Sequence, residues 1–229
     1  MRPDQFAIDL LLDGPRPVIS TALFANIWRY LSPNSALHGR RRQRMSFGLI
    51  QPRPFEESNI LPRLRIYSTD PDFSAALATQ LLLTRHITIG QHTYRIAGQA
   101  AVEQLDTEFV DVHTPIIIKT SSPNPNNPRR PFSRCVTHED PFFYDRLQRV
   151  MREKLWDCGF QDSELPQGPL VSIIAARRQK TQIKKGRTFL PGVVGRFQLH
   201  GSPSIRKAMI LSGLGVKTGM GFGFAVPTM

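Results

Sequence analysis

The order of hydrophobic patterns along this 229-residue chain predicts an α+β protein built from two tandem ferredoxin-like (RRM-like) units, each running β-α-β-β-α-β. Three observations carry that expectation. Short runs of alternating apolar residues, as half-buried strands require, are interleaved with stretches of helical spacing. Asp70-Pro71, Asp140-Pro141 and Ser202-Pro203 each pair an N-capping side chain with proline at the first helical position. A 40% hydrophobic content is enough to fill either one large core or two small ones. The join is expected near 103–109, giving units of 1–106 and 107–229.

In the first unit, Phe6, Ile8, Leu10 and Leu12 alternate as a one-faced strand that Asp13-Gly14-Pro15 ends. A helix is expected over 18–31, where Leu23, Ile27 and Leu31, flanked by Phe24 and Trp28, keep helical spacing until Ser32-Pro33 stops the run. A polar, arginine-rich connector over 34–44 then leads into a second strand through Met45, Phe47 and Leu49. Beyond a loop marked by Pro52, Pro54 and Pro62, Leu64-Arg65-Ile66-Tyr67 reads as a third strand. Asp70-Pro71 opens a helix with Phe73, Leu77 and Leu81 on one stripe, and 86–96 is read as the fourth strand.

The second unit repeats the order. The stretch 114–119 is a strand, and after a proline- and asparagine-rich loop Asp140-Pro141 opens a helix through Leu147, Val150, Met151 and Leu155, closed by Gly159. Two strands, 170–175 and 192–199, are joined by a long basic hairpin arm. Ser202-Pro203 caps a short helix over 205–211, and Phe222, Phe224 and Val226 mark the last strand.

Between that helix and that strand lies Gly213-Leu214-Gly215-Val216-Lys217-Thr218-Gly219-Met220-Gly221-Phe222-Gly223. Five glycines so spaced cost too much backbone entropy for an ordinary strand or helix, so something must approach this backbone closely. N–H groups without a Cβ in the way suit a phosphate chain, and Lys217 adds charge at the centre. A glycine helix cap followed by a glycine-rich hairpin is the purely structural alternative. Two nucleotide motifs fail: a dinucleotide fingerprint needs glycine where Thr218 stands, and a P-loop needs glycine where Val216 stands.

Thirty Lys and Arg against eighteen Asp and Glu give a net charge of +12, which points to a polyanionic partner, nucleic acid first. Cys135 and Cys158 are too few for a disulfide framework or a thiolate zinc site. His86, His92, His113, His138 and His200 form no paired ligand spacing, so no metal site and no cofactor are expected; His138-Glu139-Asp140 reads as the lead into a helix cap. No apolar run approaches the roughly 18 residues that cross a bilayer. The first residues enter a strand pattern without a signal sequence, so the expected compartment is the cytoplasm.

With the doubled unit and the glycine stretch together, the chain resembles the CRISPR-associated endoribonucleases of the RAMP superfamily, prokaryotic antiviral proteins that cut precursor repeat RNA. That family carries Gly-apolar-Gly, five residues including a cation, then Gly-apolar-Gly. Here Gly213-Leu214-Gly215, the five residues holding Lys217, and Gly221-Phe222-Gly223 meet every position. Ser35-Ala36-Leu37-His38-Gly39, ahead of Met45-Ser46-Phe47, matches the family's histidine segment between the first helix and a strand. The chain departs where relatives often have Phe-Ser-Pro-Leu and it reads Phe47-Gly48-Leu49-Ile50.

The resemblance implies metal-independent cleavage, in which a ribose 2′-OH attacks the adjacent phosphate and leaves a 2′,3′-cyclic phosphate and a 5′-OH. His38 is the expected general base or general acid, since an unperturbed imidazole titrates near working pH. Arg40, Arg41, Arg42 and Arg44 lie within six residues of it and suit the charge that develops on the phosphorane, with Arg44, at the entry to a strand, first among them. Tyr30 is either an orienting group for the 2′-OH or a core aromatic. Arg177, Arg178, Lys180, Lys184, Lys185 and Arg187 form either an arm that follows RNA backbone or a solvated hairpin. Expected RNA contacts also include Gly213, Gly215, Lys217, Gly221 and Gly223.

The implied partners are CRISPR repeat RNA, as a stem-loop or single-stranded, and a CRISPR effector complex; a homodimer is left open and no membrane is involved. The rival reading is a catalytically inactive RAMP-type subunit that binds guide RNA. A general RNA-binding protein is a third, but neither half carries the aromatic pattern with which RRM-type sheets stack bases.

Overall fold

The computed structural model describes residues 6–14, 45–50, 61–89, 92–102, 105–122, 132–182, 189–216, 218 and 221–228. The helix expected over 18–31 lies outside them. The first unit contributes β1 (Phe6–Asp13), β2 (Met45–Ile50), β3 (Arg63–Ser68), α1 (Pro71–Leu83), β4 (His86–Ile89) and β5 (His92–Ala101). Its antiparallel sheet has the order β2-β3-β1-β5-β4. Without β4 this is the fourth-first-third-second order of a ferredoxin-like sheet. The stretch 86–96, expected as one strand, is a hairpin instead: Ile89 pairs with His92, so the chain reverses between them. Gly90 is the turn signal that continued alternation concealed in the sequence.

Asp70 caps α1 as expected, its Oδ1 accepting from the N–H groups of Asp72 (3.1 Å) and Phe73 (3.3 Å). Such a cap contributes about 1 kcal/mol. Phe73 and Leu77 are buried below it with Leu10, Leu12, Phe47, Leu64, Ile66, Ile87 and Tyr94, which together form the smaller core.

The second unit comprises β6 (Phe109–Ile116), β7 (Ile118–Ser122), β8 (Phe132–Val136), α2 (Phe142–Asp157), β9 (Val171–Gln182), β10 (Phe189–Leu199), α3 (Pro203–Ser212) and β11 (Ala225–Pro227). Its main sheet runs β11-β6-β10-β9, again fourth-first-third-second, while β7 and β8 form a separate two-stranded ribbon. The expected strand at 114–119 is thus the end of one strand and the start of another. They separate at Ile117, which bridges Val216 of the glycine stretch. The strand begins earlier than expected because Val110 and Val112 are buried while Phe109, Asp111 and His113 take the other face, a pattern that reads as a polar join.

Phe143, Leu147, Met151 and Leu155 form the buried stripe of α2, and Asp140 Oδ1 accepts from the Phe142 N–H at its start (3.0 Å). From Ile205 to Ser212, α3 is buried almost all round and packs against both α2 and the first unit's β2 and β3. The units share one seam. Tyr67 of β3 lies in the larger core with its ring 5.3 Å from that of Phe224, and a Cβ at Gly48 of β2 would overlap the same Phe224 ring. The mixed α+β architecture is therefore the expected tandem ferredoxin-like one, with a strand and a ribbon added.

Candidate nucleic-acid interface

The glycine stretch leaves α3 and returns along β6. Gly213, Gly215, Gly221 and Gly223 all have positive φ (70°, 84°, 81° and 62°), the left-handed region that a side chain disfavours. Their neighbours explain the need for glycine a second time. A Cβ at Gly223 would overlap the Leu214 carbonyl, and one at Gly215 would stand 2.7 Å from Ile116 Cγ2 and 2.9 Å from Ile117 O. The close approach at these positions is to the chain's own backbone. The N–H groups of Leu214, Val216, Gly221 and Gly223 donate to Gly223 O, Ile117 O, Thr218 O and Pro115 O at 2.7–3.0 Å. Those four donors are occupied within the protein.

A lysine inside the core completes the arrangement. Lys154 of α2 is 2% exposed, and its Nζ donates to Ser212 O (2.7 Å), Gly213 O (2.8 Å) and Thr218 Oγ1 (3.1 Å). Burial pushes its pKa down to about 7, against a smaller opposing effect of Cys158. Nothing in the sequence marks it, because a lysine beside an apolar stripe reads as the solvent edge of a helix.

The loop also meets β2, the strand that follows the histidine and arginine segment in sequence. His38, Arg40, Arg41, Arg42, Arg44 and Tyr30 lie outside the described residues, as do Lys184, Lys185, Arg187 and Lys217. The residue after Arg44, however, begins β2, and Ser46 Oγ donates to Leu211 O (3.3 Å) at the end of α3. A Cβ at Gly213 would stand 2.8 Å from Ser46 Cβ. The fold therefore sets the start of β2, which follows the histidine and arginine segment in sequence, beside the first glycine of the loop.

The basic arm is an antiparallel ribbon whose register runs from Leu199↔Val171 to Phe189↔Gln182. Arg177, Arg178 and Lys180 are all exposed on β9. Alternation divides them, with Arg177 on one face and Arg178 and Lys180 on the other. Arg177 lines an open groove of about 610 Å³ together with Gln179, Asp111, His113, Ile174 and Arg196. Arg196 and Asp111 form a bidentate pair (2.9 and 3.0 Å), and the guanidinium holds the Asp111 carboxyl below its usual range. Burial pushes the His113 imidazole down; Asp111 opposes that shift and Arg65 adds to it.

Arg65 belongs to the first unit, where it forms a bidentate pair with buried Asp9 (both 2.6 Å) and donates to Tyr67 OH at 3.4 Å. His113, Arg196 and Arg65 were not singled out from the sequence. The available signal was their place on the polar face of alternating strands, which many solvated residues share.

Other arginines bond within the protein. Arg134 bonds Asp140, Arg146 reaches Lys119 O, Arg149 pairs with Glu153, and Arg152 donates to Pro166 O. Among the described residues no group of His, Cys, Asp and Glu converges as a metal site would require, and no helix is long and apolar enough to cross a membrane.

The family model for the C-terminal part of the CRISPR associated protein Cas6 matches residues 99–226. A Pyrococcus horikoshii protein described as CRISPR-associated endoribonuclease-like, Cas6nc, is 26% identical over 163 residues. That match takes in 70% of this chain and 66% of the relative, so the chain spans slightly under two thirds of its length. A solved CRISPR associated protein Cas6 superposes with a TM-score of 0.79 at 15% identity, covering 99% of this chain and 100% of its own. The structure of a Cas6-related protein from Pyrococcus furiosus gives 0.75 at 18% identity, covering 97% and 98%. The two solved structures share the fold of this chain, and with more than half its length matched by the family model, this chain belongs to the Cas6 family of CRISPR-associated proteins.

Proposed function

We propose that the chain is an endoribonuclease that cuts CRISPR precursor RNA within its repeats without a metal ion and keeps the mature guide bound for an effector complex. The ribose 2′-OH upstream of the cut attacks its own phosphate, which leaves a 2′,3′-cyclic phosphate and releases a 5′-OH. His38 takes or gives the proton, a role worth about 10²–10⁴-fold in rate. Arg44, with Arg40, Arg41 and Arg42, offsets charge on the phosphorane, where cations placed in advance act without reorganisation. Tyr30 orients the attacking ribose. Lys217, carried by the glycine loop, meets the phosphate chain, and Arg177, Arg178, Lys180, Lys184 and Lys185 extend the contact along the backbone.

The single observation that carries this reading is the place of β2: Ser46 donates to Leu211 O at the end of α3 and lies beside Gly213, the first glycine of the loop, and β2 directly follows the His38–Arg44 segment in sequence. Family membership and the endoribonuclease-like description of the horikoshii relative support it. Product-end analysis tests it. A repeat RNA incubated with the full chain should yield one fragment ending in a 2′,3′-cyclic phosphate and one beginning with a 5′-OH. Tight binding without fragments would favour the inactive guide-binding subunit, while fragments with 5′-phosphate ends would overturn the chemistry.

A further inference from the structure

Lys154 is an expensive residue where it stands. An ammonium withdrawn from water loses hydration that hydrogen bonds only partly replace, and an apolar side chain would continue the Met151 and Leu155 packing at no such cost. Its acceptors show what that cost accompanies. Ser212 O and Gly213 O lie at the C-terminal end of α3, where helix carbonyls lack partners of their own and the helix dipole is negative. Thr218, five residues beyond Gly213 in sequence, is fully buried. One nitrogen therefore ties the departure of the loop from α3 to the residue that follows Lys217.

The bonding is complete in either charge state. The ammonium donates three hydrogens; the neutral amine donates two to the carbonyls and accepts the Thr218 hydroxyl proton on its lone pair. Ser46 holds the same helix end from the first unit, so the loop is braced from both halves of the chain.

We propose that Lys154 is a positioning residue for RNA binding: by clamping Ser212, Gly213 and Thr218 it sets the geometry in which the glycine-rich loop presents Lys217 to the phosphate chain. This rests on the functional reading above, and the test separates the two. In the full-length protein, Lys154→Met keeps the aliphatic stem and removes every donor, while Thr218→Val removes only the loop-side partner and preserves the carbonyl bonds.

Hydrogen exchange on the free protein reads the clamp without RNA. Loop amides, among them Leu214, Val216 and Gly221, should lose about tenfold or more of their protection in Lys154→Met and a smaller part in Thr218→Val, while α1 and β1 keep theirs. Repeat-RNA affinity should weaken about tenfold in Lys154→Met, and that loss should largely disappear when Lys217 is already Ala. A residue that merely stabilised the fold would weaken binding by the same factor with or without Lys217.

Unchanged loop protection in both variants overturns the clamp, and additive effects with Lys217→Ala overturn its role in RNA binding. Should Lys154→Met fail to fold, Thr218→Val supplies both readouts, with the same outcomes decisive. Loss of loop protection in the variants, together with a wild-type chain that does not bind repeat RNA, overturns the functional reading, and with it the RNA half of this proposal, while leaving the clamp established.

Discussion

Replacing Gly223 by Ala tests whether the glycine loop is shaped by its own packing. Gly223 has φ of 62°, and a Cβ there would overlap the Leu214 carbonyl, a backbone atom that cannot rotate aside. Holding alanine in the left-handed region costs about 1–3 kcal/mol. The displacement also breaks the Leu214 N–H to Gly223 O bond of 2.8 Å, which is worth about another 1 kcal/mol. The sum, about 2–4 kcal/mol, corresponds to a fall in Tm of about 5–15 °C for a chain of this size. Thermal or urea unfolding followed by circular dichroism measures it. Gly168→Ala is the control, because its φ is ordinary and nothing lies within 4 Å of the new Cβ; it should stay within about 0.5 kcal/mol of wild type. A Gly223→Ala protein that melts with the control would refute the reasoning.

Three further outcomes follow from the same account. His38→Ala should lower the cleavage rate of a bound repeat RNA by about two orders of magnitude or more with affinity within about threefold, and a matching loss of affinity would remove His38 from the chemistry. Replacing Arg177, Arg178 and Lys180 together by Ala should flatten the slope of log affinity against log salt by about one for each phosphate that is no longer neutralised; an unchanged slope would leave the arm a solvated ribbon. Between pH 7 and 10.5 the unfolded chain holds a Lys154 proton that the folded chain has released, so stability should rise with pH through that window, by roughly 3–5 kcal/mol at most, and level off below pH 7, where both states hold the proton. Urea titrations across the range measure this, and Lys154→Met should remove the rise; an equal rise in the variant would assign it elsewhere.

The sequence was most legible where local chemistry decides structure. Asp70-Pro71 starts α1 because the capping carboxylate and the proline act within three residues of each other, and Phe6 to Leu12 alternate because one sheet face is buried. What depended on distant partners was not legible. Lys154 meets acceptors 58 to 64 positions away, and Arg196 meets Asp111 at a separation of 85, so neither pairing leaves a mark in local spacing.

The glycine stretch lies between these cases. Its spacing showed that something comes close to the backbone, but the approaching groups at Gly215 and Gly223 are Ile117 and Leu214 of the same chain. The division between β4 and β5 was missed because a hairpin with alternation on both sides of a short turn has the same period as one strand, and the β7–β8 ribbon because its strands are separated by the proline- and asparagine-rich stretch that reads as loop. Of the candidate site, the meeting of β2 with the loop is a fact of tertiary structure, whereas His38 and its arginines rest on the sequence.

The measurement that bears most directly on the central claim is cleavage of a repeat RNA by the purified full chain in EDTA, beside the same RNA with a single 2′-deoxy substitution upstream of the scissile phosphate. The account predicts that the first is cut and the second is bound with similar affinity but stays intact. Cleavage of the deoxy substrate, or activity that EDTA abolishes and a divalent cation restores, would contradict it.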